Sequence, residues 1–112
     1  MERVAREDRE TVEAATGVHL VQLVAGAEMS VQAFRIDPGT LVPEHSHPHE
    51  QAGYVTQGKG VFLVDGEELP VGPGDSYTIP GGEAHAVENR GDRALEGIDL
   101  FSPPRENPDW AE

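Results

Sequence analysis

Gly39-Thr-Leu-Val-Pro-Glu-His45-Ser-His47-Pro-His49-Glu-Gln51, closed by Gly58, and Gly74-Asp-Ser-Tyr-Thr-Ile-Pro80-Gly-Gly82-Glu-Ala-His85-Ala-Val-Glu-Asn89 are the two stretches that decide the reading. On an extended backbone the side chains at 45 and 47 project to one face. Two imidazoles that close suit a transition metal, whereas burying them uncoordinated needs several separate hydrogen-bond partners. A lone His-x-His is usually a surface pair, and His19, outside both stretches, is read as a surface histidine.

Outward from these stretches the texture is that of short strands. Val18 to Val24 and Met29 to Ile36 are β-rich runs, and Asp37-Pro-Gly39 closes the second with turn chemistry. Gln51 to Gln57, Val61 to Val64, Glu67 to Val71, Ser76 to Ile79, His85 to Asn89 and Ala94 to Phe101 follow. Asp65-Gly66 predicts a type I′ hairpin, because both central positions need positive φ. Gly39, Gly58, Gly74 and Gly82 are read as turn residues, and Asn89 as a hydrogen bonder at a turn or strand end. No helical period follows residue 16, so βαβ folds are excluded and a β-sandwich or barrel is expected. Residues 1–16 are polar and fit a short helical arm, an edge strand or a frayed end.

The two stretches resemble the paired signature motifs of the cupin superfamily: glycine, His-x-His, an acid and a closing glycine, then glycine, proline, glycine, histidine and asparagine. Spacing agrees at every position, and identity at every position except Gln51, where the family usually has Glu. The gap from Lys59 to Pro73 is that of compact members. The resemblance implies an all-β fold, the cupin double-stranded β-helix or jelly-roll barrel, as one domain over 1–112. Its parts are an N-terminal arm (1–16), the first motif (39–58), the second motif (74–89) and a C-terminal tail (102–112). It assigns His45, His47 and His85 as metal ligands, with Gln51 in the acidic-ligand place. The cofactor implied is one divalent transition metal ion, Zn, Ni, Fe or Mn. Pro48 would re-aim the chain between His47 and Gln51. His49 shares the parity of His45 and His47 and is an alternative to Gln51 as ligand; the plainer reading puts it at the pocket rim or behind a ligand. Glu50, of opposite parity to Gln51, is expected in solvent.

A narrower resemblance lies in Asp99-Leu-Phe-Ser-Pro-Pro-Arg-Glu106. Small single-domain cupins of pectin and alginate breakdown, which open unsaturated monouronates, end in a similar pattern. That likeness implies catalytic roles for Asp99, as general acid/base, and Arg105, as a bidentate clamp on a carboxylate. Gln51 follows His47 after three residues, where some of those enzymes have four. The activity implied is that of a metal-dependent isomerase, hydratase or lyase using Lewis-acid catalysis on a small sugar-acid-like or other anionic substrate. A non-haem Fe(II) dioxygenase-type cupin and a non-enzymatic ligand-binding or sensing barrel are the alternatives.

Composition bounds the partners. The 112 residues carry 8 basic and 21 acidic side chains, a net charge of −13, with 13 Gly, 9 Pro and no Cys. That excludes disulfides, thiolate metal sites and a Cys nucleophile. Acidity of this degree argues against nucleic acid and against an anionic membrane surface. No apolar stretch could span a bilayer, and the charged start is unlike a signal peptide, so a soluble, cytoplasmic protein is expected. Lys59 is the only lysine, and such a self-repelling surface suits either a high-salt interior or an ordinary acidic protein of an arginine-rich proteome. Anions would be admitted through this acidic shell only if Arg35 or Arg105 lines the entrance. Edge strands and the habit of the superfamily imply a homodimer.

Overall fold

The Asp65-Gly66 turn shows the left-handed conformation its sequence demands, with φ of 50° and 79°. It joins β6 (Gly60–Val64) to β7 (Glu67–Val71) in strict antiparallel register. The structure is a computed structural model and describes residues 1–105. Before this hairpin come a 3₁₀ turn (Arg6–Asp8), β1 (Val12–Ala15), β2 (Val18–Ala25), β3 (Ser30–Ile36), β4 (Leu41–His45) and β5 (Glu50–Gln57). After it come β8 (Ser76–Ile79), β9 (His85–Glu88) and β10 (Leu95–Ser102). The arm thus resolves into a single 3₁₀ turn and an edge strand on β2, not a longer helix. The tail beyond Arg105 lies outside the described residues. Among those described, no helix is long and apolar enough to cross a membrane.

Two antiparallel sheets face each other, one ordered β1-β2-β3-β10-β5-β8 and the other β4-β9-β6-β7. This is the expected all-β jelly roll. Alternation decides what each strand turns inward. Phe34, Ile36, Val55, Ile79 and Leu95 of the larger sheet meet Phe62 and Val87 of the smaller in one buried core.

The same inward rows change character toward one end. On β3 they run from Ile36 and Phe34 to Gln32 and Ser30; on β10 from Leu95 through Gly97 to Asp99 and Phe101; on β5 from Val55 to Gly53 and Gln51. The apolar end is the core and the polar end is the site.

Asn89 fastens the apolar end. It is fully buried, its amide donates to Ile36 O and Arg93 O, and its Oδ1 accepts from Gly91 N–H. Its backbone also exchanges hydrogen bonds with Gly39 and Thr40, tying the end of the second motif to the start of the first.

Candidate metal centre

β4 ends at His45, and residues 46–49 carry the chain from the smaller sheet to β5 of the larger one. His47 and Pro48 lie in this crossing, so His47 is aimed by the bend and not by a ladder. The crossing is held from the second motif, where Gly82 N–H donates to His47 O at 2.8 Å. His85 opens β9 directly opposite His45, and Gln51 faces inward from β5.

This brings three imidazoles to one place. The ring centroids of His45 and His85 are 4.4 Å apart, those of His47 and His85 5.3 Å, and one nitrogen from each of the three lies within 4.8 Å of the others. His47 and His85 are buried and His45 is exposed. The orientation of each ring is fixed from behind. His45 Nδ1 meets Pro43 O at 3.0 Å, His47 Nδ1 meets His49 O at 3.1 Å, and His85 Nδ1 meets Glu83 O at 2.9 Å. A carbonyl only accepts, so each Nδ1 carries the proton and each neutral ring leaves Nε2 as a bare lone pair.

Gln51 completes the set with an unusual contact. Its Oε1 lies 3.0 Å from His47 Nε2, while its amide hydrogen-bonds to the Asp99 carboxylate. A carboxylate can take only the NH₂ side, so the oxygen is the atom turned to His47. Burial, followed by the charge of Arg105, holds the His47 pKa below its ordinary value, which keeps that ring neutral. Two acceptors therefore face each other. A divalent cation reconciles them, since adjacent donors on bonds of about 2.1 Å lie roughly 3 Å apart. The residues fit a borderline divalent transition ion.

Behind the set sits a carboxylate. Asp99 is buried at 7% exposure, and burial pushes its pKa up to about 6 against the pull of Tyr77, Gln51 and Arg105. Tyr77 donates its O–H to Asp99 Oδ1, and burial, then the Asp99 charge, hold that phenol well above its ordinary range. Burial also lowers the His85 pKa.

Arg105 caps the end. Its N–H donates to Ser30 Oγ, its carbonyl accepts from Gln22, and its guanidinium lies 5.2 Å over the Phe101 ring. The same Phe101 ring stands edge-on to His47 at 5.5 Å. A cavity of about 260 Å³ opens onto His45, Gln51, His85, Asp99 and Arg105, with apolar walls from Phe34 and Val55.

Of the two arginines considered for the entrance, Arg105 lines the cavity and Arg35 does not; Arg35 lies 3.9 Å from Asp37. His49 stands behind His47, its Nδ1 buried and without a partner among the described residues. Glu50 is exposed. His19 is half-buried rather than a free surface ring, because it pairs with Asp37 at 3.1 Å.

Sequence reasoning passed over Tyr77 and Gln32. The inward parity of Tyr77 with Ile79 is the available signal for the first, and that of Gln32 with Phe34 and Ile36 for the second.

Known proteins share this architecture. The Cupin domain family matches residues 32–101. An oxalate-binding protein of Thermotoga maritima is 36% identical over 63 residues, which cover 55% of this chain and 52% of that protein. The chain thus spans about half the length of that relative. The structure of KdgF from Halomonas sp. superposes with a TM-score of 0.86 at 24% identity, covering 96% of this chain and 97% of that one. An RmlC-like cupin from Shewanella frigidimarina gives 0.80 at 26% identity, over 95% and 98% of the two chains.

Proposed function

We propose that this chain, which belongs to the Cupin domain family, holds one divalent transition metal ion at the polar end of its barrel. There it would act on a small, anionic, sugar-acid-like molecule. The observation that carries the reading is the pair of acceptors, His47 Nε2 and Gln51 Oε1, opposed at 3.0 Å beside two further lone pairs. His45, His47, His85 and Gln51 hold the ion in this reading. When bound, the ion supplies Lewis acidity, polarising a substrate carboxylate or hydroxyl.

The chain's own groups do the rest. Because Gln51 brings no charge, the set leaves the full double positive charge to attract an anion, where a Glu would halve it. Arg105 grips a carboxylate in bidentate fashion. Asp99, with a pKa of about 6, takes and returns a proton near neutrality, and Tyr77 holds its carboxylate in place. Phe101 and the apolar walls exclude water. This suits an isomerase, hydratase or lyase acting on an unsaturated uronate, in agreement with the likeness of the Asp99–Arg105 segment to cupins that open such molecules.

The reading includes a homodimer. Tyr54 and Leu100 stand 49% and 38% exposed on the outer face of the larger sheet, on adjacent strands.

The test is metal analysis of unheated, untagged protein, followed by decay of the conjugated ultraviolet band of an unsaturated uronate, with oxygen uptake recorded in parallel. Wild type should carry about one ion per chain and His47→Ala much less, and Asp99→Asn should keep its metal while losing turnover. Equal metal in wild type and His47→Ala would defeat the assignment, and oxygen uptake without loss of the band would move the chemistry to a dioxygenase.

A further inference from the structure

Gln32 lies in the middle of β3, only 6% exposed, and its amide makes no hydrogen bond among the described residues. Asp99 is its register partner, so the two side chains stand next to each other on the inner face. The Asp99 carboxylate is committed to Tyr77 and Gln51 and leaves the Gln32 amide unserved. On the same inward row Phe34 and Ile36 lie toward the core and Ser30 toward the open end, so Gln32 stands where the row turns from apolar to polar. Its amide atoms reach the open space beside them: among the described residues the side-chain polar atom that is both buried and unpartnered is His49 Nδ1. Gln32 lines the cavity onto which Asp99 and Arg105 also open.

Gln32, Phe101 and Arg105 also line a second cavity of about 250 Å³, so these three stand between the two spaces. Ser30, two residues earlier on the same inward row, holds the Arg105 backbone N–H. β3 therefore sets the amide and anchors the guanidinium.

We propose that Gln32 is a ligand-selecting residue, whose amide pairs with a hydroxyl group of a polyhydroxylated acid while Arg105 holds that acid's carboxylate. The inference rests on the proposed function for its anionic, sugar-acid-like ligand and adds the residue that reads the hydroxyl groups. The amide carbonyl accepts the hydroxyl hydrogen, and the NH₂ donates to a neighbouring hydroxyl oxygen. A bound carboxylate without hydroxyls would cover the amide and pair nothing with it, and sites built to pair a hydroxyl discriminate strongly against ligands that lack it.

The experiment has two arms. D-glucuronate and cyclohexanecarboxylate, a six-membered-ring carboxylate without hydroxyls, are titrated by NMR into wild type, Gln32→Leu and Gln32→Met, each of measured metal content. Wild type should prefer glucuronate about tenfold or more. Both variants should lose that preference while binding cyclohexanecarboxylate as well as wild type or better. In the second arm, without ligand, Gln32→Leu and Gln32→Met should melt within about 2–5 °C of wild type, because the amide has no protein hydrogen bond to lose. Both variants melting far below wild type, an unchanged preference, or no preference in wild type would each overturn the inference. Absent metal with the preference intact counts against the proposed function and leaves Gln32 standing; bound metal with a preference that the variants keep counts against Gln32 alone.

Discussion

Tyr77 donates its phenolic hydrogen to Asp99 Oδ1 at 2.5 Å by reaching over Gly53, the residue that lies between them on β5. A Cβ at position 53 would overlap the Tyr77 ring, so the contact depends on that glycine. A hydrogen bond to the charged form favours it, and Tyr77→Phe should raise the Asp99 pKa above its value of about 6. The acid limb of turnover should move to higher pH with metal content unchanged. Gly53→Ala should also disturb the packing of the ring and cost about 1–3 kcal/mol in urea unfolding. An unmoved pH profile in Tyr77→Phe would show that Asp99 does not set it.

Gln51→Glu should exchange one property for another. The added carboxylate strengthens attraction for a cation and halves the charge left for an anion. Competition with a chelator should show tighter metal retention, and titration with an anionic probe such as oxalate should show weaker binding. Beside Asp99 the new carboxylate also repels a like charge, so Asp99 should hold its proton to higher pH.

In metal-free protein two opposed pH dependences are expected. His47 and His85 titrate below their ordinary 6.5. The unfolded chain therefore takes up these protons first, and their contribution, present above about pH 6.5, is lost as pH falls. Asp99 runs the other way. Its folded pKa of about 6 exceeds the ordinary 3.8, so its contribution is full below about pH 3.8 and disappears as pH rises through 6. The amount is on the order of 2–3 kcal/mol. Urea midpoints should therefore show Asp99→Asn gaining more, relative to wild type, at pH 7.5 than at pH 4.5. Equal shifts at both would mean the carboxyl is not held neutral.

Asn89→Ala removes two donors and one acceptor from a fully buried position. The orphaned carbonyls of Ile36 and Arg93 set the cost at about 3 kcal/mol, a fall of roughly 10 °C in Tm. Metal content of the folded variant should match wild type at low temperature, because Asn89 stands at the core end.

Salt should stabilise the protein. A net charge of −13 on 112 residues repels itself, and the exposed Arg90 pairs with Glu68 and Glu88 offset little of that. Melting in molar sodium chloride should occur several degrees above melting in dilute buffer; no gain would remove the argument for a high-salt setting.

Short-range features were legible in the sequence. Asp65-Gly66 announced its hairpin because positive φ at two successive residues is a local demand, and Asn89 was readable as a strand-end hydrogen bonder for a similar reason. The approach of His85 to His45 and His47 was legible only through the motif spacing, since forty positions separate His45 from His85. The row Gln32, Asp99, Gly53, Tyr77 was not legible. It depends on β10 lying between β3 and β5, a pairing fixed by strand order and not by any neighbouring residue. For the same reason the sequence leaves Arg35 and Arg105 as alternatives for the entrance: which arginine reaches the cavity depends on where the chain goes after β10.

That insertion of β10 into the middle of its sheet has a consequence for biosynthesis. While the ribosome is still adding residues 95–102, β3 and β5 have no neighbour on their facing edges, and unpaired strand edges invite association with other chains. Asp99, Phe101 and then Arg105 emerge only at this late stage. The nascent chain therefore acquires its acid, its aromatic partition and its guanidinium in the same step that closes the gap and ends its exposure to aggregation.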